Sequence, residues 1–193
     1  FELSLDLALS CDLIIWDYNY VFDPRVYLRR FFQQKGREEY LIMVDEAHNL
    51  FDRARGMYSA EIRVRDLTEI SKEIRTELPV IYRSIRDIKK TISAFEKQLT
   101  EEFPEAGGIS YHAVKNPPLD LKKPLETFIL ETENRILSDR EEKAYTDKLV
   151  TFFFDLLHFK NILELFSDPF RTLTTGSKSN LRLSLLCLDP RKM

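Results

Sequence analysis

Glycine and cysteine are scarce in this chain, with five of the first and two of the second among 193 residues. Cys11 and Cys187 lie near opposite ends with no CxxC spacing, which excludes a zinc ribbon and a disulfide scaffold and fits a reducing compartment. No GxxxxGK[ST] sequence occurs, since Gly176-Ser177-Lys178 is the only glycine followed closely by lysine, so no loop of that kind can cradle a triphosphate. No apolar run reaches the roughly 18 residues of a membrane span, and no charged leader precedes a short apolar stretch. A soluble, intracellular (cytoplasmic) protein with no membrane partner is expected. Positive charge is not in excess either: the formal net charge is -3, which argues against broad attraction to duplex DNA and leaves room only for local nucleic-acid contacts. Internal repeats and low-complexity tracts are lacking.

What the chain has is apolar material, 44% of its residues, enough to bury a sizeable core. It opens on Phe1 inside an already patterned apolar segment, which suggests a piece excised from a longer protein. Leu13-Ile14-Ile15-Trp16 and Tyr40 to Val44 are short apolar runs of the length and character of buried parallel strands. Between them, Pro24 to Gln34 reads as a crossover helix, with Asp23 as its cap, Pro24 at its first position and Gly36 ending it. Strand, helix and strand together predict one βαβ unit.

From Leu67 an apolar stripe runs through Ile70, Ile74, Leu78, Ile81, Ile85, Ile88, Ile92, Phe95 and Leu99 in steps of three and four. Pro79 interrupts it and predicts a kink or a break into two helices near Leu78. Residues 103–118, with Pro104, Gly107, Gly108, Asn116 and Pro117-Pro118, predict a long exposed loop. A helix follows from Pro124 through Ile136, and a further, largely buried one from about Glu141 to Phe166. Alternating runs at 171–175 and 181–188 around a turn-rich linker predict a hairpin or two adjacent strands.

The chemistry is concentrated in Leu41-Ile42-Met43-Val44-Asp45-Glu46-Ala47-His48, an apolar segment that delivers two carboxylates and a histidine at its C-terminal end. In nucleoside triphosphatases an aspartate at such a position holds magnesium, usually through water, while the adjacent carboxylate orients or deprotonates the attacking water. Asp45 takes the first role and Glu46 the second. A hydrolytic metal site built from Asp45, Glu46 and His48 is the rival reading, but the HExxH helix pattern is absent.

Asp45-Glu46-Ala47-His48-Asn49-Leu50 resembles the DEAHNL form of the DEAH box found in the XPD/DinG helicases of superfamily two. The stretch from Cys11 through Trp16-Asp17-Tyr18-Asn19-Tyr20-Val21-Phe22-Asp23-Pro24 is similar to that family's YNYLFDP-like segment, and Leu186-Cys187-Leu188-Asp189-Pro190 resembles the approach to its next motif. The likeness covers residues 12–60 and 181–190 well, and the middle only through length and helical character. It implies a parent that hydrolyses ATP with Mg2+ to move along single-stranded DNA, with His48 coupling the nucleotide site to a second motor domain. It also implies that the helical middle is an Arch-like insertion. The family's cluster cysteines have no counterpart here, so an iron-sulfur cluster belongs, if anywhere, to the parent protein and not to this chain.

Arg53, Arg55, Arg63 and Arg65 follow the box and can line a single-strand path, with Tyr58 available for base stacking. A solvated face offset by Asp52, Glu61 and Asp66 accounts for the same residues equally well. His112 and His158 lack ligand-like spacing and read as surface or core histidines, and the pairs Lys89-Lys90 and Lys122-Lys123 as ordinary surface charge. The expected fold class is α/β with predominant helix: a partial RecA-like motor domain over residues 1–56 and 141–193, carrying a mainly helical Arch-like insertion over 57–140. A monomer that is inactive alone for want of a phosphate-binding loop follows. The alternative is a helical protein-protein interaction module that uses the stripe from Leu67 to Leu99.

Overall fold

Pro79 divides the apolar stripe into two helices. The chain forms α5 (Val64–Ile74), turns, and restarts as α6 (Pro79–Glu102), with Leu78 at φ -128°, ψ 64° as the non-helical residue between them. A proline has no amide to donate, and the first turn of a helix is where that donor is not needed. The computed structural model describes residues 1–32, 40–103, 111–138, 144–176 and 178–192, and the chain divides into two compact units, Phe1–Tyr58 and Ser59–Met193.

In the second unit the stripe is consumed by the protein's own core. Leu67, Ile70 and Ile74 of α5 and Ile81, Ile85, Ile88, Ile92 and Leu99 of α6 are buried. Full burial of such a side chain is worth about 1.5–3 kcal/mol. α6 packs between α5 and α7 (Lys122–Ser138), and α7 packs on α8 (Ala144–Glu164). The stripe therefore does not present an open face, and the interaction-module reading loses the feature on which it rested. α8 is apolar on more than one side, as expected, with Leu149, Phe153, Leu156, Phe159, Ile162 and Leu163 all buried.

Beside the helices lies a four-stranded antiparallel sheet of order β1-β4-β3-β2, made of β1 (Ala60–Arg63), β2 (Tyr111–Val114), β3 (Phe170–Thr175) and β4 (Arg182–Cys187). The expected hairpin is β3 and β4, paired from Phe170↔Cys187 to Thr175↔Arg182. Gly176 opens the connection at φ 80°, a left-handed conformation that side-chain-bearing residues adopt at a cost. β1 and β2 are the edges, and β2 occupies part of the segment expected to be loop. One sheet thus draws strands both from 57–140 and from 141–193.

Burial alternates along β1, β2 and β3, whereas Leu183, Ser184 and Leu185 of β4 are all buried. Ile62, Thr172, Thr174, Leu183, Leu185 and His112 are buried, while Glu61, Arg63, Tyr111, Arg171, Leu173 and Thr175 stand on the other face. Two of the buried polar side chains of the sheet are tied in: Thr172 Oγ1 donates to the Asn116 carbonyl at 2.7 Å, and the His112 ring lies 3.4 Å from Thr100 Oγ1 on α6. His158 Nε2 donates to the Ser59 carbonyl at 3.0 Å, and Ser59 Oγ accepts the Cys187 amide at 3.0 Å. These contacts join α8, the start of β1 and the end of β4, and they give both histidines structural employment.

The first unit contains α1 (Glu2–Ala8), the single turns α2 (Asn19–Phe22) and α3 (Arg29–Phe32), and α4 (Leu50–Met57). The expected βαβ unit is not formed among the described residues. Residues 13–16 and 40–44 have no strand partner, and Leu13, Ile15, Leu41 and Met43 are exposed, Ile15 at 91%. A strand exists only when neighbours take up its backbone donors and acceptors, and no described segment of this unit pairs with either run in a ladder. The crossover helix is reduced to α3, and Gln34 and Gly36 fall outside the described residues. Asp23 caps a turn instead of a helix: its carboxylate accepts the Arg25 amide at 2.9 Å and pairs with the Arg25 guanidinium at 2.6 Å.

The fold class is therefore mixed α and β with helix predominant, and the sheet is small and antiparallel. No described helix is long and apolar enough to cross a membrane.

Candidate functional site

The acidic box sits in a turn that its own residues hold together. Tyr40 to Val44 run without regular structure into Asp45 and Glu46, followed by a 3-10 turn at Ala47–Asn49 and then α4. Glu46 is left-handed, at φ 51°, ψ 36°. For a residue with a Cβ this costs about 1–2 kcal/mol, which local hydrogen bonds must offset. Asp45 Oδ1 accepts the Glu46 amide at 2.8 Å, and the Glu46 carbonyl accepts the Asn49 amide at 3.0 Å. The sharp reversal separates the two consecutive carboxylates, leaving one bound to the turn and the other projecting into solvent.

Glu46 Oε2 lies 3.1 Å from His48 Nδ1, with both side chains about 70% exposed (71% and 70%). So exposed a pair contributes little to stability, about 0–1 kcal/mol at most, and holds the two side chains only loosely. It does place an acceptor and an imidazole within hydrogen-bond reach of each other.

Asp45 keeps one carboxylate oxygen without a partner among the described residues. That donor chemistry fits magnesium, which takes one or two protein carboxylates and completes its shell with water and substrate phosphates. No group of three or more His, Cys, Asp or Glu side chains converges to hold a metal among the described residues. The rival site in which Asp45, Glu46 and His48 enclose one ion is thus not built: His48 turns to Glu46, and Asp45 to the backbone.

The basic candidates fall into the two units. Arg53 and Arg55 are exposed on α4, and Arg55 Nη1 lies 3.8 Å from Asp52; Tyr58 follows at the end of that helix, half-buried. Arg63 ends β1 and Arg65 opens α5 in the second unit. Arg63 donates to Glu61, and Arg65 Nε to Glu69 at 2.8 Å. These bonds hold both guanidinium groups above their ordinary pKa and the Glu69 carboxyl below its own.

Sequence reasoning missed Arg182. The register sets it directly opposite Arg63, and its Nη1 lies 3.6 Å from Glu61. The two arginines, with Arg65, Asp66, Glu69, Ser179, Asn180 and Leu181, line a cleft of about 400 Å³ at the β3–β4 connection. Nothing local in the sequence signals this, because Arg63 and Arg182 are 119 positions apart.

No curated protein is significantly similar to the chain. Residues 1–67, the segment that carries Asp45-Glu46-Ala47-His48, match the DEAD_2 family model, and this match supports a DEAD/DEAH-type helicase family.

Proposed function

We propose that this chain is part of an ATP-dependent DNA helicase of the XPD/DinG type, acting on single-stranded DNA. The observation that carries the reading is the acidic box, Asp45 to His48, on an exposed turn inside the segment that matches the helicase family. Residues 1–56 are read as part of the first motor domain. The compact unit Ser59–Met193, whose single sheet mixes strands from both sides of residue 140, supports an Arch-like insertion that extends beyond that residue.

Asp45 presents its unpartnered oxygen to the water shell of magnesium, and Glu46 accepts the proton of the attacking water and aligns it. His48, beside Glu46, passes the state of the nucleotide site to the second motor domain. Bound with ATP, Mg2+ supplies neutralisation of the phosphate charge. This chain has no GxxxxGK[ST] loop, so nucleotide binding needs residues outside it, and the isolated chain is expected to be inactive. Any iron-sulfur cluster belongs to the parent protein.

The test is ATP hydrolysis by the full-length protein with and without single-stranded DNA, native against Glu46→Gln. DNA-stimulated hydrolysis that falls by about a hundredfold or more in the variant supports the reading; hydrolysis equal in both proteins contradicts it.

A further inference from the structure

Helices α5 and α6 fold back on each other at Pro79, and one contact fixes which of their sides meet in solvent. Lys89 Nζ donates to Thr68 Oγ1 at 2.8 Å, so Thr68 and Lys89 border the same side of the hairpin. Helical periodicity adds Lys72 and Arg75, four and seven residues after Thr68, and Arg86, three residues before Lys89. Arg83, three residues further back, adjoins Arg86. Lys72, Arg75, Arg83 and Arg86 are exposed. This surface is the hydrophilic outside of the hairpin, distinct from the apolar stripe that the core consumes.

These cations meet little negative charge. Glu69 accepts Arg65 Nε and lies within the field of Lys72, while Glu73 turns away to Lys148 of α8. Asp87 lines a separate groove between α6 and α7, together with Lys90 and Lys123. Glu77 in the turn is the carboxylate left beside the basic row, and Glu96 lies about two turns beyond Lys89. Arg75, Arg83 and Arg86 have no ion pair among the described residues, and Lys89 spends its bond on a neutral hydroxyl. Like charges three residues apart, as in Arg83/Arg86 and Arg86/Lys89, destabilise a helix. No acidic residue stands in the first turn of α6 to offset them.

Cations three residues apart repeat about every 4.5 Å along a helix, the spacing at which a second helix presents carboxylates. Val80, one turn before Arg83, is 48% exposed and offers an aliphatic contact. No described aromatic ring on this side is exposed, Tyr82 being half-buried, so the surface lacks the stacking platform that a nucleic-acid strand uses. We infer that the α5–α6 hairpin docks an acidic helical segment of a partner protein, with Arg75, Arg83 and Arg86 on its carboxylates and Val80 against an aliphatic side chain. The inference stands apart from the helicase reading and adds to it a protein contact in the second unit.

The experiment is fluorescence anisotropy of the full 193-residue chain with a labelled helical peptide of about 15 residues, glutamates alternating with leucines at helical spacing. Binding that weakens with added salt is expected, and Arg75→Glu/Arg86→Glu is expected to weaken it by about tenfold or more. Circular dichroism melts separate loss of contact from loss of fold, and Arg75→Lys/Arg86→Lys, which keeps the charge, is expected to retain most of the binding. An acidic peptide that fails to bind at low salt, or that binds the charge-reversed chain as well as the native one, overturns the proposal. Equal binding of the same peptide with lysine for glutamate also overturns it. So does an oligodeoxythymidylate that displaces the acidic peptide and binds this surface more tightly, which would make the occupant a nucleic acid.

Discussion

The Asp45 carboxylate accepts the amide of Glu46 at 2.8 Å and so stabilises the left-handed turn that points the second carboxylate of the box outward. Asparagine has an oxygen in the same place, so Asp45→Asn keeps this bond and removes only the charge. The variant is expected to melt like the native chain. In the full-length protein it is expected to lose magnesium affinity by about tenfold to a hundredfold, seen as a higher magnesium requirement for hydrolysis. Unchanged magnesium dependence would remove Asp45 from the metal.

Gly176 is a second place where backbone geometry dictates the residue. Its φ of 80° is unfavourable for any side chain, and a Cβ there would collide with the carbonyl of Asn180. Since that atom is backbone, it cannot swing aside. Gly176→Ala is expected to destabilise the second unit by more than about 1 kcal/mol, measured as a lower urea midpoint. The β3–β4 register, which carries Arg182 to its place opposite Arg63, depends on this turn.

Ile88 tests the helical core. It is fully buried in the middle of α6, so Ile88→Ala removes apolar contacts and leaves a cavity. The expected cost is about 2–5 kcal/mol in urea unfolding. A cost below about 1 kcal/mol would mean that the stripe is not packed as described.

What the sequence made legible is what depends on neighbours close along the chain. The stripe from Leu67 to Leu99 and the break at Pro79 are local, because a helix repeats its contacts every three or four residues. The β3 and β4 strands are alternating runs around one turn, and they too are recognisable. By contrast, β1 and β2 are four-residue edges whose existence depends on partners more than fifty residues away. The same dependence misled in the opposite direction at residues 13–16 and 40–44, where strand-like composition found no described partner. The acidic box was legible as a motif. The opposition of Arg63 and Arg182 was not, since it is a product of register.

The Glu69 carboxyl is held below its ordinary pKa chiefly by its hydrogen bond to Arg65, and that of Asp189 by its hydrogen bond to Arg191. A depressed carboxyl stabilises the fold above its unfolded pKa, and that contribution disappears as pH falls through the lower folded value. Lys148 is raised, chiefly by its hydrogen bond to Glu73 at 2.6 Å, so its contribution is present below its unfolded pKa and lost as pH rises through the folded one. These groups are exposed, Asp189 half-buried, and the effects are small. Thermal melts from pH 7 downward are expected to show a slight loss below about pH 4 that Glu69→Gln and Asp189→Asn reduce. The Lys148 effect appears only in strong alkali and is absent in Glu73→Gln. An acid limb identical in native chain and variants would show that these bonds do not persist in solution.

The proposed role of the box is that of the hydrolytic part of a DNA-dependent motor. Its most direct test is ATP turnover by the full-length protein, native and Glu46→Gln, with and without single-stranded DNA. The account predicts turnover that rises with DNA in the native protein and falls by about a hundredfold or more in the variant, with the fold unchanged. Turnover that ignores DNA, or that survives the loss of the Glu46 carboxylate, would contradict it.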